Sequence, residues 1–227
     1  MHALLLWDID GTLIVSGGAG ERALRIALHA EFGLDASLAD VEMAGRTDRW
    51  IARRIFEKFG LPASDAAITR LLDAYLRALP HELPCAGAAT LRGVRELVTR
   101  LQTHGRIAQG LLTGNLRRGA ELKLTHHGLW AHFPFGAFGD DAELRDELGP
   151  HALRRAIEHH GHAFTAEQTF IIGDTPHDIA CGKIIGANTI AVATGRHTVE
   201  ELRACSPTAV FADLGDAESF LAAVIRA

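Results

Sequence analysis

The stretch Ala3-Leu-Leu-Leu-Trp7, running straight into Asp8-Ile-Asp-Gly-Thr12, decides the fold. A short, uninterrupted apolar run is the pattern of a strand buried on both faces, as in the interior of a parallel sheet. Small and polar residues then end it. Three later segments repeat the form: Ile107 to Leu112 before Thr113-Gly114-Asn115, Thr169 to Ile172 before Gly173-Asp174-Thr175, and Thr189 to Ala193 before Thr194-Gly195. Helical patterns separate them at Gly87 to His104, Leu116 to His127, Pro150 to Gly161 and Asp178 to Gly186. Strand and helix alternating at this spacing predict right-handed crossovers and an α/β fold with a doubly wound parallel sheet. A weak final strand near Thr208 to Phe211 precedes a helix near the C-terminus.

Between Val15 and Pro84 the strand signal disappears, and three helical patterns replace it: Gly20 to Phe32, Thr47 to Phe59 and Asp65 to Leu79. Ser16-Gly17-Gly18 supplies flexibility at one junction, and Pro80 to Gly87 punctuates the other. This predicts an α/β core of residues 1–15 and 85–227 with an inserted helical domain of residues 16–84. The alternative is one continuous α/β domain with a long helical crossover.

The 227 residues carry 23 Lys plus Arg against 28 Asp plus Glu, a formal charge of −5, with 48% apolar residues. That composition excludes collagen, coiled coil and disorder, and it lacks the basic patch of a general nucleic-acid binder. Only three of the basic residues are lysines, Lys58, Lys123 and Lys183. Cys85, Cys181 and Cys205 are odd in number and form no CxxC pair, so neither a disulfide framework nor a thiolate zinc site is expected. The N-terminal residues show no basic leader and no apolar run approaches a membrane span, which predicts a cytoplasmic protein with no membrane partner.

In an open parallel sheet, ligands bind beyond the carboxyl ends of the strands, where all the polar clusters above fall. Asp8 and Asp10 are one residue apart, so an extended backbone sends both side chains the same way. Gly11 permits a sharp turn and close approach by a ligand. Two carboxylates so placed repel each other unless a cation or shared proton lies between them, and a hard divalent ion is the natural remedy. Asp174 at another strand end would add an oxygen, and Asp178, one helical turn on, could support the site from behind.

The set DxDGT, an apolar run ending in Thr-Gly-Asn, and GDTxxD, in that order and each at a predicted strand end, resembles the haloacid dehalogenase superfamily of aspartate-nucleophile phosphotransferases. The helical insertion after the first motif resembles the cap of the phosphoglycolate phosphatase and β-phosphoglucomutase branch. The resemblance implies a Rossmann-like core, a Mg2+ cofactor and a small phosphorylated metabolite as partner. It makes Asp8 the nucleophile and a metal ligand, and Asp10 the acid and base, with its backbone carbonyl also on the metal. Asp174 completes the metal site and Asp178 orients it. Thr113 would bond a phosphoryl oxygen, with Gly114 and Asn115 presenting N–H groups near a helix N-terminus. An aspartate at position 10 favours phosphate-ester cleavage over dehalogenation, because one carboxyl can protonate the leaving alkoxide and then deprotonate water.

The chain departs from the family where a lysine is expected: the interval after Thr113 reaches Arg145. Arginine can clamp carboxylate and phosphoryl oxygens through its planar fork. Lys123 is the second candidate, although its ten residues from Thr113 amount to about 15 Å of helix rise. In the inserted segment, Arg46 of Gly45-Arg46-Thr47-Asp48 either contacts a substrate anion or is solvated beside a capping Thr47 or Asp48. The resulting expectation is a Mg-dependent phosphatase with phosphoglycolate the leading substrate. The alternatives are a sugar phosphomutase and a non-catalytic receiver-like module phosphorylated on aspartate.

Overall fold

A computed structural model of the chain describes residues 3–35, 37–84 and 87–226. Six parallel strands form the central sheet: β1 (Ala3–Trp7), β4 (Ile107–Leu112), β5 (Gly136–Ala137), β6 (Thr169–Gly173), β7 (Asn188–Val192) and β8 (Ala209–Phe211), in the spatial order β5-β4-β1-β6-β7-β8. The expected α/β architecture is present. The uninterrupted apolar run of β1 has a direct cause, because alternate side chains enter two different cores. Leu5 and Trp7 pack with Val94, Leu97 and Leu101 of α4 (Val94–Thr103) and with Phe220 of α9 (Ala217–Arg226). Leu4 and Leu6 pack with Ala152 and Ala156 of α6 (Leu148–His160) and Cys181 of α7 (Pro176–Ile184). Trp7 is fully buried and stacks on Phe220 at 5.5 Å between ring centroids; truncating such a residue costs about 3–5 kcal/mol.

Between β1 and β4 the chain builds a helical layer of α1 (Ala19–Phe32), α2 (Asp48–Lys58) and α3 (Asp65–Glu82). Its own core joins Ala27 and Leu28 of α1, Ile55 and Phe56 of α2, and Leu71, Tyr75 and Leu79 of α3. Leu116 and Leu122 join the same cluster, Leu122 from α5 (Arg117–His126), seating the layer on the sheet domain. Thr47 caps α2 by accepting from the Trp50 N–H at 3.1 Å, and Ser64 caps α3 by accepting from Ala67 N–H at 3.3 Å.

Three short strands went unread in the sequence. β2 (Ile14–Ser16) and β3 (Ala88–Thr90) pair antiparallel, with Ile14 opposite Thr90 and Ser16 opposite Ala88. β3 therefore occupies part of the Gly87 to His104 stretch expected to be helical, and α4 starts only at Val94. β5 has two residues, too few for a hydrophobic period. Pro80, expected to end a helix, lies inside α3, which runs on to Glu82. A proline gives up its own N–H bond and its ring crowds the carbonyl four residues back, but in the last turn this leaves Ala78 and Leu79 packed in the core of the layer. The boundary expected at residues 84 and 85 and the thiol of Cys85 fall partly outside the described residues; Cys181 is buried and Cys205 half-buried. Among the described residues no helix is long and apolar enough to cross a membrane.

Candidate active site

The loops after β1, β4, β6 and β7, all at carboxyl ends of strands, converge on a cavity of about 430 Å³ roofed by the helical layer. Asp8, Asp10 and Asp174 line it, with Asn115, Lys123 and Arg145. Gly11 has φ +85°, and a Cβ there would fall 2.4 Å from Asp174 Oδ2. The turn after β1 thus requires glycine both for its backbone and for the space Asp174 occupies. Thr12 donates to Asp174 Oδ1 at 3.2 Å, and Thr194 donates to the Gly11 carbonyl at 2.6 Å.

Asp8, Asp174 and Asp178 bring carboxylate oxygens within 4.8 Å of one another, all three buried. Arg145 is the cation among them, its Nη2 3.1 Å from Asp8 Oδ1 and in contact with Asp178 Oδ1. Both oxygens of Asp178 are engaged, since Oδ2 accepts from the Thr175 N–H at 3.0 Å and its hydroxyl at 2.6 Å in a capping box. One guanidinium does not balance three carboxylates. Burial raises Asp8 to about 6, with repulsion from Asp178 and Asp10 outweighing part of what Arg145 returns. Burial, then Asp178 and Asp8, push Asp174 up to about 8.

Asp10 is turned elsewhere. Its Oδ2 accepts from Lys123 Nζ at 2.6 Å and from Asn115 Nδ2 at 2.9 Å, while Asn115 Oδ1 accepts from Lys123 at 2.6 Å. Burial acts to raise Asp10 too, but the Lys123 charge and the hydrogen bonds from Lys123 and Asn115 hold it below the ordinary carboxylate value. Lys123 stays protonated, because Asp10 and its other neighbours outweigh the effect of burial. The distance argument against Lys123 is thereby corrected. Helical side chains lean toward the N-terminus, and Asn115 and Asp10 reach to meet the ammonium, so helix rise alone overstated the gap. Arg145 and Lys123 are not rivals for one position, since each serves a different carboxylate.

Thr113 is fully buried after β4, its hydroxyl accepting from Asn115 Nδ2 at 2.9 Å. Gly114 meets the helical layer: a Cβ there would lie 2.0 Å from the Arg46 carbonyl, and its own carbonyl accepts from Asp48 N–H at 2.8 Å. Asp48 Oδ2 accepts from Leu116 N–H at 2.7 Å, and burial raises its carboxyl to about 6. Arg46 lines the cavity without being a free cation, since it pairs with Glu42 at 2.9 Å and lies 4.4 Å from the Trp50 ring centroid. Sequence reading missed Thr194 as a support of the Gly11 turn and Gly195, where a Cβ would fall 1.8 Å from Asp174 Oδ2. Their position after a strand was the available signal.

Every donor in the Asp8 cluster is a carboxylate oxygen, and the charge there is in excess. A hard divalent cation such as Mg2+ fits that donor set, whereas a soft metal would want thiolate or imidazole. The family model described as haloacid dehalogenase-like hydrolase matches residues 5–183. A phosphoglycolate phosphatase of Rhodospirillum rubrum is 30% identical over 222 residues, covering 95% of this chain and 90% of the relative. A protein of Dickeya dadantii named probable phosphatase IndB is 28% identical over 219 residues, covering 92% and 89%. Among solved structures, CbbY of Rhodobacter sphaeroides in complex with phosphate superposes with a TM-score of 0.76 at 16% identity, covering 95% of this chain and 96% of that one. With the strand-end motifs, the sheet order and a family match over most of its length, the chain belongs to the haloacid dehalogenase-like hydrolases.

Proposed function

We propose that the protein is a magnesium-dependent phosphatase acting on a small phosphorylated metabolite through an aspartyl-phosphate on Asp8. The carrying observation is the excess of buried carboxylate around Asp8, on the floor of a cavity of about 430 Å³. The names of the relatives point to a compound of the phosphoglycolate type. Residues 16–84 are the cap and the rest is the core.

Asp8 and Asp174 would hold Mg2+, with the Asp10 backbone carbonyl, and Asp178 would orient the set through Arg145 and Thr175. When bound, the ion supplies positive charge to the phosphoryl oxygens and relieves the repulsion among the carboxylates. An Asp8 oxygen attacks phosphorus, and the ester P–O bond breaks as Asp10 gives its proton to the leaving alkoxide. Asp10 then takes a proton from water as that water attacks the phosphorus, releasing phosphate and restoring Asp8. Lys123 favours the ionised form of Asp10, which makes the protonated form a stronger acid toward the leaving alkoxide and the ionised form a weaker base toward water. Arg145 restrains Asp8 and faces the transferring group, and the Thr113 hydroxyl with the N–H groups of Gly114 and Asn115 receives its oxygens. Arg46 at the cavity wall is the candidate contact for the rest of the substrate.

The test is phosphate release over phosphoglycolate, sugar phosphates and nucleotides with magnesium. Free phosphate from a small acid phosphate is the expected product. An isomerised sugar phosphate would mark a mutase, and a stable phosphoprotein without turnover a receiver-like module.

A further inference from the structure

Arg145 is delivered to Asp8 by the stretch that follows β5, and that stretch is held from two sides. On the sheet side, Asp141 is clamped by Arg155 through two contacts of 2.6 Å. On the other side Glu143, two residues before Arg145, is held by the helical layer. Arg53 of α2 donates from Nε to Glu143 Oε1 at 2.6 Å and from Nη2 to Oε2 at 2.9 Å, a two-pronged pair. The Thr47 hydroxyl donates to the Glu143 backbone carbonyl as well. Arg53 is itself steadied by the Ala63 carbonyl at 3.3 Å and by Asp65 at 3.6 Å, so its grip belongs to the helical layer as a unit. Leu144 next to it is half exposed, which leaves Glu143 as the anchor of this stretch toward the layer.

We propose that Arg53 is a positioning residue: by gripping Glu143 it sets the segment carrying Arg145, so that seating the helical layer on the sheet and placing Arg145 against Asp8 are one event. The inference rests on the phosphatase reading for its kinetic arm alone. A lone half-exposed ion pair contributes little to stability, but here the pair fixes a backbone two residues from a group whose displacement by an ångström disturbs the reacting geometry.

The test uses the full chain, with para-nitrophenyl phosphate and magnesium as the probe, and hydrogen–deuterium exchange of peptides covering residues 139–147 in metal-free protein. In Arg53→Ala, exchange of that segment should speed by about 10-fold or more while β1 is unchanged, because the opening is local. The same variant should lose about 10- to 100-fold in kcat with KM within about twofold, the mark of misplaced chemistry rather than lost binding. Glu143→Gln should behave alike, Arg53→Lys should recover part of the loss, and Arg53→Ala with Glu143→Ala should be no worse than either alone. Unchanged exchange at 139–147, a raised KM with kcat intact, or additive losses in the double variant would each overturn the proposal. If Arg53→Ala fails to fold, Glu143→Gln carries both readouts. A wild-type protein that cleaves no phosphate ester would end the phosphatase reading, while the exchange measurement would still decide whether Arg53 holds the segment.

Discussion

Asp8 and Asp10 leave the same strand end one residue apart and enter opposite surroundings. Asp8 faces two further carboxylates across a single guanidinium, and burial with that repulsion lifts its proton affinity. Asp10 sits against an ammonium and an amide, and its proton affinity falls. Identical side chains thus acquire different chemistry from what a neighbouring strand or helix delivers to them. The Asp8 side carries more negative charge than Arg145 offsets, and the Asp10 side is paired with Lys123.

Five substitutions sharpen or break that contrast. Asp8→Asn should fold and lose at least about 10³-fold in phosphate release, because an amide is no nucleophile; turnover at the wild-type rate would refute the mechanism. Arg145→Ala should lower phosphate release far more than Lys123→Ala, since in the proposed mechanism Arg145 faces the bond being made and Lys123 tunes a proton carrier; the reverse ranking would show that proton transfer by Asp10 outweighs the restraint on Asp8. Stability without metal should separate the two sides in sign. Asp10→Asn takes from buried Lys123 its hydrogen-bonded carboxylate and should cost about 2–4 kcal/mol in urea unfolding, whereas Asp174→Asn relieves crowding and should gain about 1–2 kcal/mol. Losses in both would mean that Asp174 has a compensating partner after all.

The last effect concerns Asp48, which lies near enough to Lys123 and Asp10 to feel their charge. Its carboxyl is raised from 3.8 to about 6 by burial, so between those values the folded protein binds more protons than the unfolded chain. Stability present at the acid end should therefore decline as pH rises through this window, by about 2–3 kcal/mol. Asp48→Asn, which keeps an acceptor for the Leu116 N–H, should remove that share of the slope in melts taken from pH 4 to 7. An unaltered slope would show that the charge at Asp48 is compensated.

What could be read in advance follows from how local each signal is. β1, β4, β6 and β7 were visible because a strand buried on both faces must be apolar throughout, and the polar residues at their ends marked the site. β2, β3 and β5 are two or three residues long and owe their existence to a partner distant in sequence, so no period announced them. Arg145 was legible only through the family resemblance, which expects a lysine at that interval after Thr113. The reach of Lys123 was misjudged because helix rise was counted without the direction its side chain takes. The Arg53 to Glu143 pair spans ninety residues, and nothing at either position marks it as different from an ordinary surface charge.

The β2–β3 ribbon carries one further consequence. Ser16 and Ala88 face each other across it, so the chain leaves the sheet domain and returns to it at the same spot. A tight turn between those residues would close the gap without rethreading any strand of the central sheet. The helical layer therefore has a single point of departure and return, and its length can differ without altering the order of the strands that carry Asp8, Asp10 and Asp174.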